Sequence, residues 1–325
     1  MTLEVLDSGI GECRAPDPNG HRRFIRDNKT RDLVDKRMPA REAVERFVHD
    51  GAYVSYDVNI LRRGPSILFR EIIRQRRRDL WVAAKFGGLE VTMFAAAGCV
   101  SRVDVGWLEV GTVLNKAINE GRVKFVEWTN GALAYRHLAG AMGLPFLPMR
   151  YLGGTDSFRQ SAAKLVKDPF TGDNIVLVPA LNPDVALIHV NQADCYGNAR
   201  VFGPGIAPRE TAMSSKRLII TAEEIISADE IRRDPGRTTI PHYLVDAVVH
   251  APFGAYPGSM PGLYTADREH LMGFGALQIQ GKVAEYLDRW VFAFPDEETM
   301  LEALVGRDKL ERLREAETIR EGYQA

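Results

Sequence analysis

From Pro39 onward, short apolar runs alternate with amphipathic segments, and this rhythm restricts the possible folds more than any other feature of the chain. REAVERFVHDG carries apolar residues at helical spacing and stops at Gly51. AYVSYD precedes the helical SILFREIIRQRR, and DLWVAAKF precedes a Gly-Gly pair and a short apolar segment. VSRVDVGW precedes TVLNKAINEG, and VKFVEW precedes GALAYRHLAGAMG. Strands alternating with helices in this way predict βαβ units, hence an α/β fold with an open, mostly parallel sheet and flanking helices.

Residues 1–38 mix charges with Pro and Gly without periodicity and read as an irregular N-terminal arm, leaving 39–325 as a single α/β domain. GLPFLPMR breaks the rhythm, and the polar, turn-rich segment 151–174 reads as an excursion over the sheet. NIVLVPA and DVALIHV then resume as two core strands, and the turn Asp194 to Asn198 returns the chain as a hairpin through ARVFG. RLIITAEEII reads as a buried strand, followed by a helix whose start is marked by the capping spacing Ser227 to Glu230. VDAVVHAPFGAYPGSMPGLY is a strand running into a rigid Pro/Gly loop, and LQIQGKVAEYLDRWVFAF reads as one C-terminal helix.

Composition removes several function classes. Forty-two basic against forty-three acidic residues give a formal charge of -1, which offers no general attraction for nucleic acid or an anionic membrane. Arg74, Arg76, Arg77 and Arg78 suit a helix C-terminus. Cys13, Cys99 and Cys195 lie far apart, so neither a disulfide framework nor a metal site is indicated. The N-terminus lacks the basic start and apolar core of a secretory signal, which predicts a cytoplasmic protein. Residues 247–264 lack Asp, Glu, Lys and Arg, but their prolines and glycines exclude a membrane helix. GIGEC and GPGIA do not complete a dinucleotide fingerprint, and neither a Walker loop nor G-x-S-x-G is present.

Candidate functional residues therefore fall at strand ends, where ligands bind in parallel sheets. PDVALIHVNQADCYGN opens as a buried strand and turns polar at His189, Asn191, Gln192 and Asp194. His189 reads as a satisfied core histidine, since its strand is still buried there. Arg62 and Arg63 precede a helix start at Gly64-Pro65 and could hold a carboxylate or phosphate, or form a surface arginine pair. Gly87 and Gly88 would let a ligand approach the backbone, or make a tight turn. Glu109 and Asn130 occupy loops after strands, and Glu109 reads either as a helix-start anion or as a base. No self-contained catalytic set emerges.

GLPFLPMR, PDVALIHVNQADCYGNARVFG, EEIISADEIRRDP and VDAVVHAPFGAYPGSMPGLY resemble, in order, segments of the A subunit of class I coenzyme A transferases of the glutaconate type. The resemblance implies that family's open α/β fold and a partner B subunit, in an A2B2 heterotetramer. It also implies a ping-pong reaction between an acyl-CoA and a carboxylic acid, in some cases a dicarboxylate. The glutamyl-CoA thioester of that reaction would form on the B subunit, with CoA as substrate and no separate cofactor or metal. This would explain the missing nucleophile. The A chain would then supply Arg63, Gly87, Gly88, Asn130 and Gln192 to the substrates, with Glu109 as its one candidate for direct chemistry. Asp57-Val58-Asn59 departs from the family's Gly-Gly-Phe, so bulk at that turn would narrow or reshape the pocket. A related steroid ring-cleaving hydrolase carries a glutamate near the position of Asn130, where an amide cannot act as a carboxylate base. Hydrolase, lyase or decarboxylase chemistry, or a non-catalytic acyl-CoA-binding role, are the alternatives on this scaffold. Trp290, Phe292 and Phe294 would be poor surface in a monomer and suggest a buried interface.

Overall fold

The computed structural model describes residues 4–317. In chain order the elements are β1 (Val5–Ser8), α1 (Pro18–Asn28), α2 (Ala40–Phe47), β2 (Tyr53–Tyr56), α3 (Ser66–Arg74), β3 (Leu80–Gly87), α4 (Leu89–Ala96), β4 (Val100–Leu108) and α5 (Thr112–Asn119). There follow β5 (Lys124–Glu127), α6 (Asn130–Met142), β6 (Phe146–Met149), α7 (Asp156–Gln160), β7 (Lys164–Lys167), β8 (Asn174–Pro179), β9 (Val185–Ala193), β10 (Ala199–Arg200) and α8 (Pro208–Ser214). The chain closes with β11 (Arg217–Ile225), α9 (Ala228–Arg233), β12 (Ala247–His250), α10 (Arg268–Ile279), α11 (Val283–Leu287), α12 (Glu297–Leu304) and α13 (Arg307–Glu317).

The main sheet runs β12-β11-β9-β2-β3-β4-β5, with β10 paired to β9. All neighbours along that path are parallel, so the carboxyl ends of seven strands share one edge. Apolar runs form these strands because helices cover both faces. On β9, Val185 and Leu187 enter the core that holds Val54, Val82 and Val103, whereas Ala186 and Ile188 enter a second core with Ile220 and Val248 on the opposite face. Each such Val, Leu or Ile side chain contributes about 1.5–3 kcal/mol by leaving water. After β2 the chain builds outward through β3, β4 and β5, then returns to place β9 on the other side of β2. The β2/β9 junction is thus the topological switch point, where ligands bind beyond the strand ends.

Three elements differ from the sequence expectation. NIVLVP does not join the main sheet: β8 lies in a separate four-stranded sheet of order β1-β7-β8-β6, paired antiparallel throughout. Its burial alternates, with Val176 and Val178 inside, because this sheet covers only one face of the strand. The arm expected to be irregular contains β1, an exposed edge strand against β7, and α1, whose Asp17 side chain accepts from the Gly20 amide. Lys29 ties that helix end to Asp246, and Lys36 N–H donates to Cys195 O at 2.9 Å, so the arm follows the β12 side of the sheet. The expected single C-terminal helix is divided at Gly281, whose φ of +73° lies in the left-handed region that ends a helix. A π-turn over Asp288–Phe292 follows α11. The hairpin at Asp194 and the Ser227 cap form as the sequence predicts. No helix among the described residues is long and apolar enough to cross a membrane.

Trp290, Phe292 and Phe294 do not form an open surface. Trp290 packs against Tyr256, His270 and Tyr286, Phe292 borders the main core, and Phe294 borders a smaller cluster around Tyr264 and Met300. Their apolar area is used within the chain.

Candidate active site at the carboxyl edge

Beyond β2 the backbone turns sharply, with Ile60 at φ 59° and Arg63 at φ 62°. Asn59 and Arg62 exchange two backbone hydrogen bonds of 3.0 Å, closing a small loop. The loop is fastened to the Pro/Gly segment that follows β12: Arg63 N–H donates to Ser259 O at 2.8 Å, and Ser259 N–H donates to Leu61 O at 2.7 Å. Gly258 permits this closure, since a β-carbon there would lie 2.6 Å from Leu61 O. Between these two loops and the starts of α3 and α4 lies a narrow cleft with about 30 Å³ of room. Its walls include Val58, Ile60, Leu61, Phe69, Leu89 and Leu271.

Among the described residues that line the cleft, Glu90 alone is charged. It is 5% exposed, and its Oε1 accepts from Tyr56 Oη at 2.8 Å and from the Gly88 amide at 3.1 Å. Burial pushes its carboxyl above the ordinary range against those two hydrogen bonds, and the nearby Glu109 carboxylate pushes the same way. Glu90 and Glu109 converge on the bare face of Gly88: an Oε2 of each stands 3.7 Å from where a Gly88 β-carbon would be. Glu109 itself is exposed at the end of β4, with its amide donating to Gly87 O at 2.8 Å. Sequence reasoning passed over Glu90, because an acidic residue in the first turn of a helix is already explained by the helix dipole.

Of the residues singled out in the sequence, Gly88 and Glu109 meet Glu90 beside this cleft without lining it, and Gly87 is buried against Leu108 and Val91. Asn130 opens α6 on the far side of β4, so close that a β-carbon on Gly106 would fall 2.2 Å from its Oδ1, a buried atom without a hydrogen-bond partner among the described residues. Arg63 is placed differently from the sequence expectation. Its side chain is fully buried, donating to Asn191 Oδ1 at 3.1 Å and to the carbonyls of Phe202 and Pro204, so the guanidinium braces loops and does not open on the cleft. Gln192 is also apart, engaged with Glu224 at 2.7 Å and Arg200 at 3.3 Å. His189 is buried between Thr221 Oγ1 at 2.8 Å and Glu223 Oε1 at 2.7 Å, a satisfied core histidine.

The unusual turn after β2 divides its side chains between two environments. Val58 lines the cleft, whereas Asp57 is fully buried beneath Gly205. Asp57 Oδ1 lies 3.7 Å from Lys85 Nζ, which donates to Tyr56 O at 3.1 Å and Thr211 Oγ1 at 2.9 Å. Burial raises the Asp57 carboxyl, with Lys85 and then Arg63 pulling it back. The cleft is narrowed by a valine, and the charge lies below it.

Residues 37–251 match the sequence family described as Coenzyme A transferase. The A subunit of the 3-oxoadipate CoA-transferase of Pseudomonas knackmussii is 34% identical, over 71% of this chain and 84% of the relative. The A subunit of the glutaconate CoA-transferase of Acidaminococcus fermentans is 30% identical, over 83% of this chain and 92% of the relative. The crystal structure of that organism's glutaconate coenzyme A-transferase superposes with a TM-score of 0.81 at 29% identity, covering 86% of this chain and 95% of the other. With a parallel sheet that matches this structure and a cleft at its carboxyl edge, the chain belongs to the coenzyme A transferase family, as an enzyme of CoA transfer similar to the family's A subunits.

Proposed function

We propose that this chain is the A subunit of a two-subunit CoA-transferase, active in an A2B2 heterotetramer, that moves CoA from an acyl-CoA to a carboxylic acid through a glutamyl-CoA thioester on its B partner. The observation that supports this reading is the cleft itself: among the described residues that line it, the one carboxyl is buried and held by two donors, which suits a nucleophile supplied by a partner chain. A partner glutamate attacking the thioester carbonyl would form an anhydride and release CoA thiolate. Attack of that thiolate on the glutamyl carbonyl would then give the enzyme thioester and free the first acid. In this scheme the backbone at Gly88 admits the thioester, with Gly87 packed beneath it against Leu108 and Val91. Glu109 and Asn130 are the polar groups on either side of β4 that can meet the reacting centre, while Arg63 and Gln192 brace the surrounding loops. The three free cysteines fit a cytoplasmic location.

The test is co-expression with a B-type chain, followed by incubation with acyl-CoA and no acceptor. A borohydride-reducible adduct on the B chain, discharged as new acyl-CoA when a carboxylic acid is added, is the expected result. Full acyl exchange by the A chain alone would overturn the partnership. Acceptor-independent release of CoA would replace transfer by hydrolysis, and carbon dioxide release without CoA loss would replace it by decarboxylation. Binding without adduct or turnover would leave acyl-CoA binding as the chain's only role.

A further inference from the structure

The Pro/Gly segment after β12 is irregular, yet one carboxylate beneath it fixes its path. Glu223 stands near the end of β11, with a side chain 6% exposed and outside the lining of the cleft. Its Oε1 accepts from His189 Nε2 at 2.7 Å and from Tyr264 Oη, and its Oε2 accepts from the Phe253 amide at 2.8 Å. Phe253 has a φ of 58°, in the left-handed region that a phenylalanine keeps only when its surroundings hold it there. Tyr264 Oη accepts in turn from the Ala255 amide at 3.1 Å. A β-carbon on Gly254 would lie 2.8 Å from His189 Cε1, so the segment rests directly on the imidazole.

From there the ties run to the cleft, which Ala255, Pro257 and Gly258 help to line. Gly254 O accepts from the Ile67 amide at 3.2 Å and Ala255 O from Ser66 Oγ at 3.1 Å, fixing the start of α3, while Ser259 holds the turn at Leu61 and Arg63. We propose, resting on the transferase reading, that Glu223 is a positioning residue for CoA transfer, setting from outside the cleft the two loops that form it. A carboxylate fits this place because it offers acceptors to three donors and has no proton to turn against any of them. Glutamine has the same shape but cannot replace it: the amide NH2 would face either the Phe253 amide or the His189 and Tyr264 donors.

Hydrogen–deuterium exchange of the two-chain enzyme tests the anchor, and single-turnover adduct formation from acetyl-CoA, butyryl-CoA or succinyl-CoA tests its bearing on the reaction. In Glu223→Gln the amides of residues 253–259 and 59–63 are expected to exchange about tenfold faster or more, while those of β3 and β4 stay within about twofold of the parent. Adduct formation on the B chain should slow by about tenfold or more with its final amount retained, because a positioning defect slows each site whereas a folding defect removes sites. Tyr264→Phe keeps the bonds from Phe253 and His189 and should slow the step less than Glu223→Gln does; the reverse order overturns the assignment to Glu223. Unchanged loop exchange, or a rise shared by β3 and β4, overturns the anchor. A loosened loop with the parent's rate, or less adduct formed at the parent's rate, overturns the role in transfer and leaves the transferase reading standing. If the parent forms no adduct with any of these thioesters, the transferase reading falls and this role with it.

Discussion

Asp104, in the middle of β4, and Asp57, just past the end of β2, are both fully buried, yet their surroundings are opposite. Asp104 accepts from Tyr53 Oη, from Trp81 Nε1 at 3.0 Å and from Arg136 Nη1 at 2.6 Å. Arg136 in turn donates to Pro179 O at 3.0 Å and lies 4.2 Å over the Trp128 ring. Neither carboxylate oxygen of Asp57 makes a close hydrogen bond among the described residues, the Ile206 amide and Lys85 standing as looser partners, and its nearest cation is 3.7 Å away. Inside the sheet, side chains of two strands on one side, β2 and β3, and an arginine of the covering helix α6 reach the buried charge. At the carboxyl edge the backbone diverges into loops, and a charge there is left short of partners. Such shortfall is tolerated where ligands and partner chains are met, so the contrast separates a charge kept for architecture from one kept beside a site.

The largest test of this contrast is Asp104→Ala, which strands the Arg136 guanidinium in a dry interior. A stability loss of about 3–5 kcal/mol is expected in urea unfolding, as for removal of one member of a buried pair. A loss below about 1 kcal/mol would break the comparison.

Asp57→Asn should have a smaller effect, within about 1–2 kcal/mol near pH 7, because the carboxylate it removes is poorly satisfied. The sign with pH sharpens the point. Burial raises the folded-state value of Asp57 above its ordinary 3.8, so the stability it contributes is complete below that value and is lost as pH rises through the folded-state value. The stability of Asp57→Asn relative to the parent should therefore climb as pH rises above 3.8, as measured by urea midpoints across that range. A relative stability that falls with pH would mean that the Lys85 pairing outweighs burial.

The smallest effect is expected at Gln192, a strand-edge amide whose partners Glu224 and Arg200 reach it from neighbouring strands. Gln192→Ala should cost under about 1 kcal/mol and leave the rate of adduct formation on the B chain unchanged. A tenfold loss of rate would move the site toward β9 and away from the cleft at Gly88.

The parallel strands were readable from the chain because helices on both faces make the central ones apolar on both sides, and a run such as Val185 to Ile188 records that in sequence. The capping serine at 227 and the Asp194 turn were readable because their hydrogen bonds close within four residues. Four separated segments were enough to identify the family, and a partner followed from that resemblance alone, which explained the missing nucleophile. β8 was assigned to the wrong sheet, since Ile175 to Val178 reads the same whether one face or two are covered. Only tertiary structure decided that pairing, the burial of Arg63, the convergence of Glu90 with Glu109 on Gly88, and the aliphatic lining of the cleft. Local sequence determines features whose interactions lie within a turn of the chain or repeat with the period of an element. A cleft assembled from residues 58, 61, 90, 258 and 271 depends on how separate elements dock, and its charge balance exists only once distant side chains have taken one another as partners.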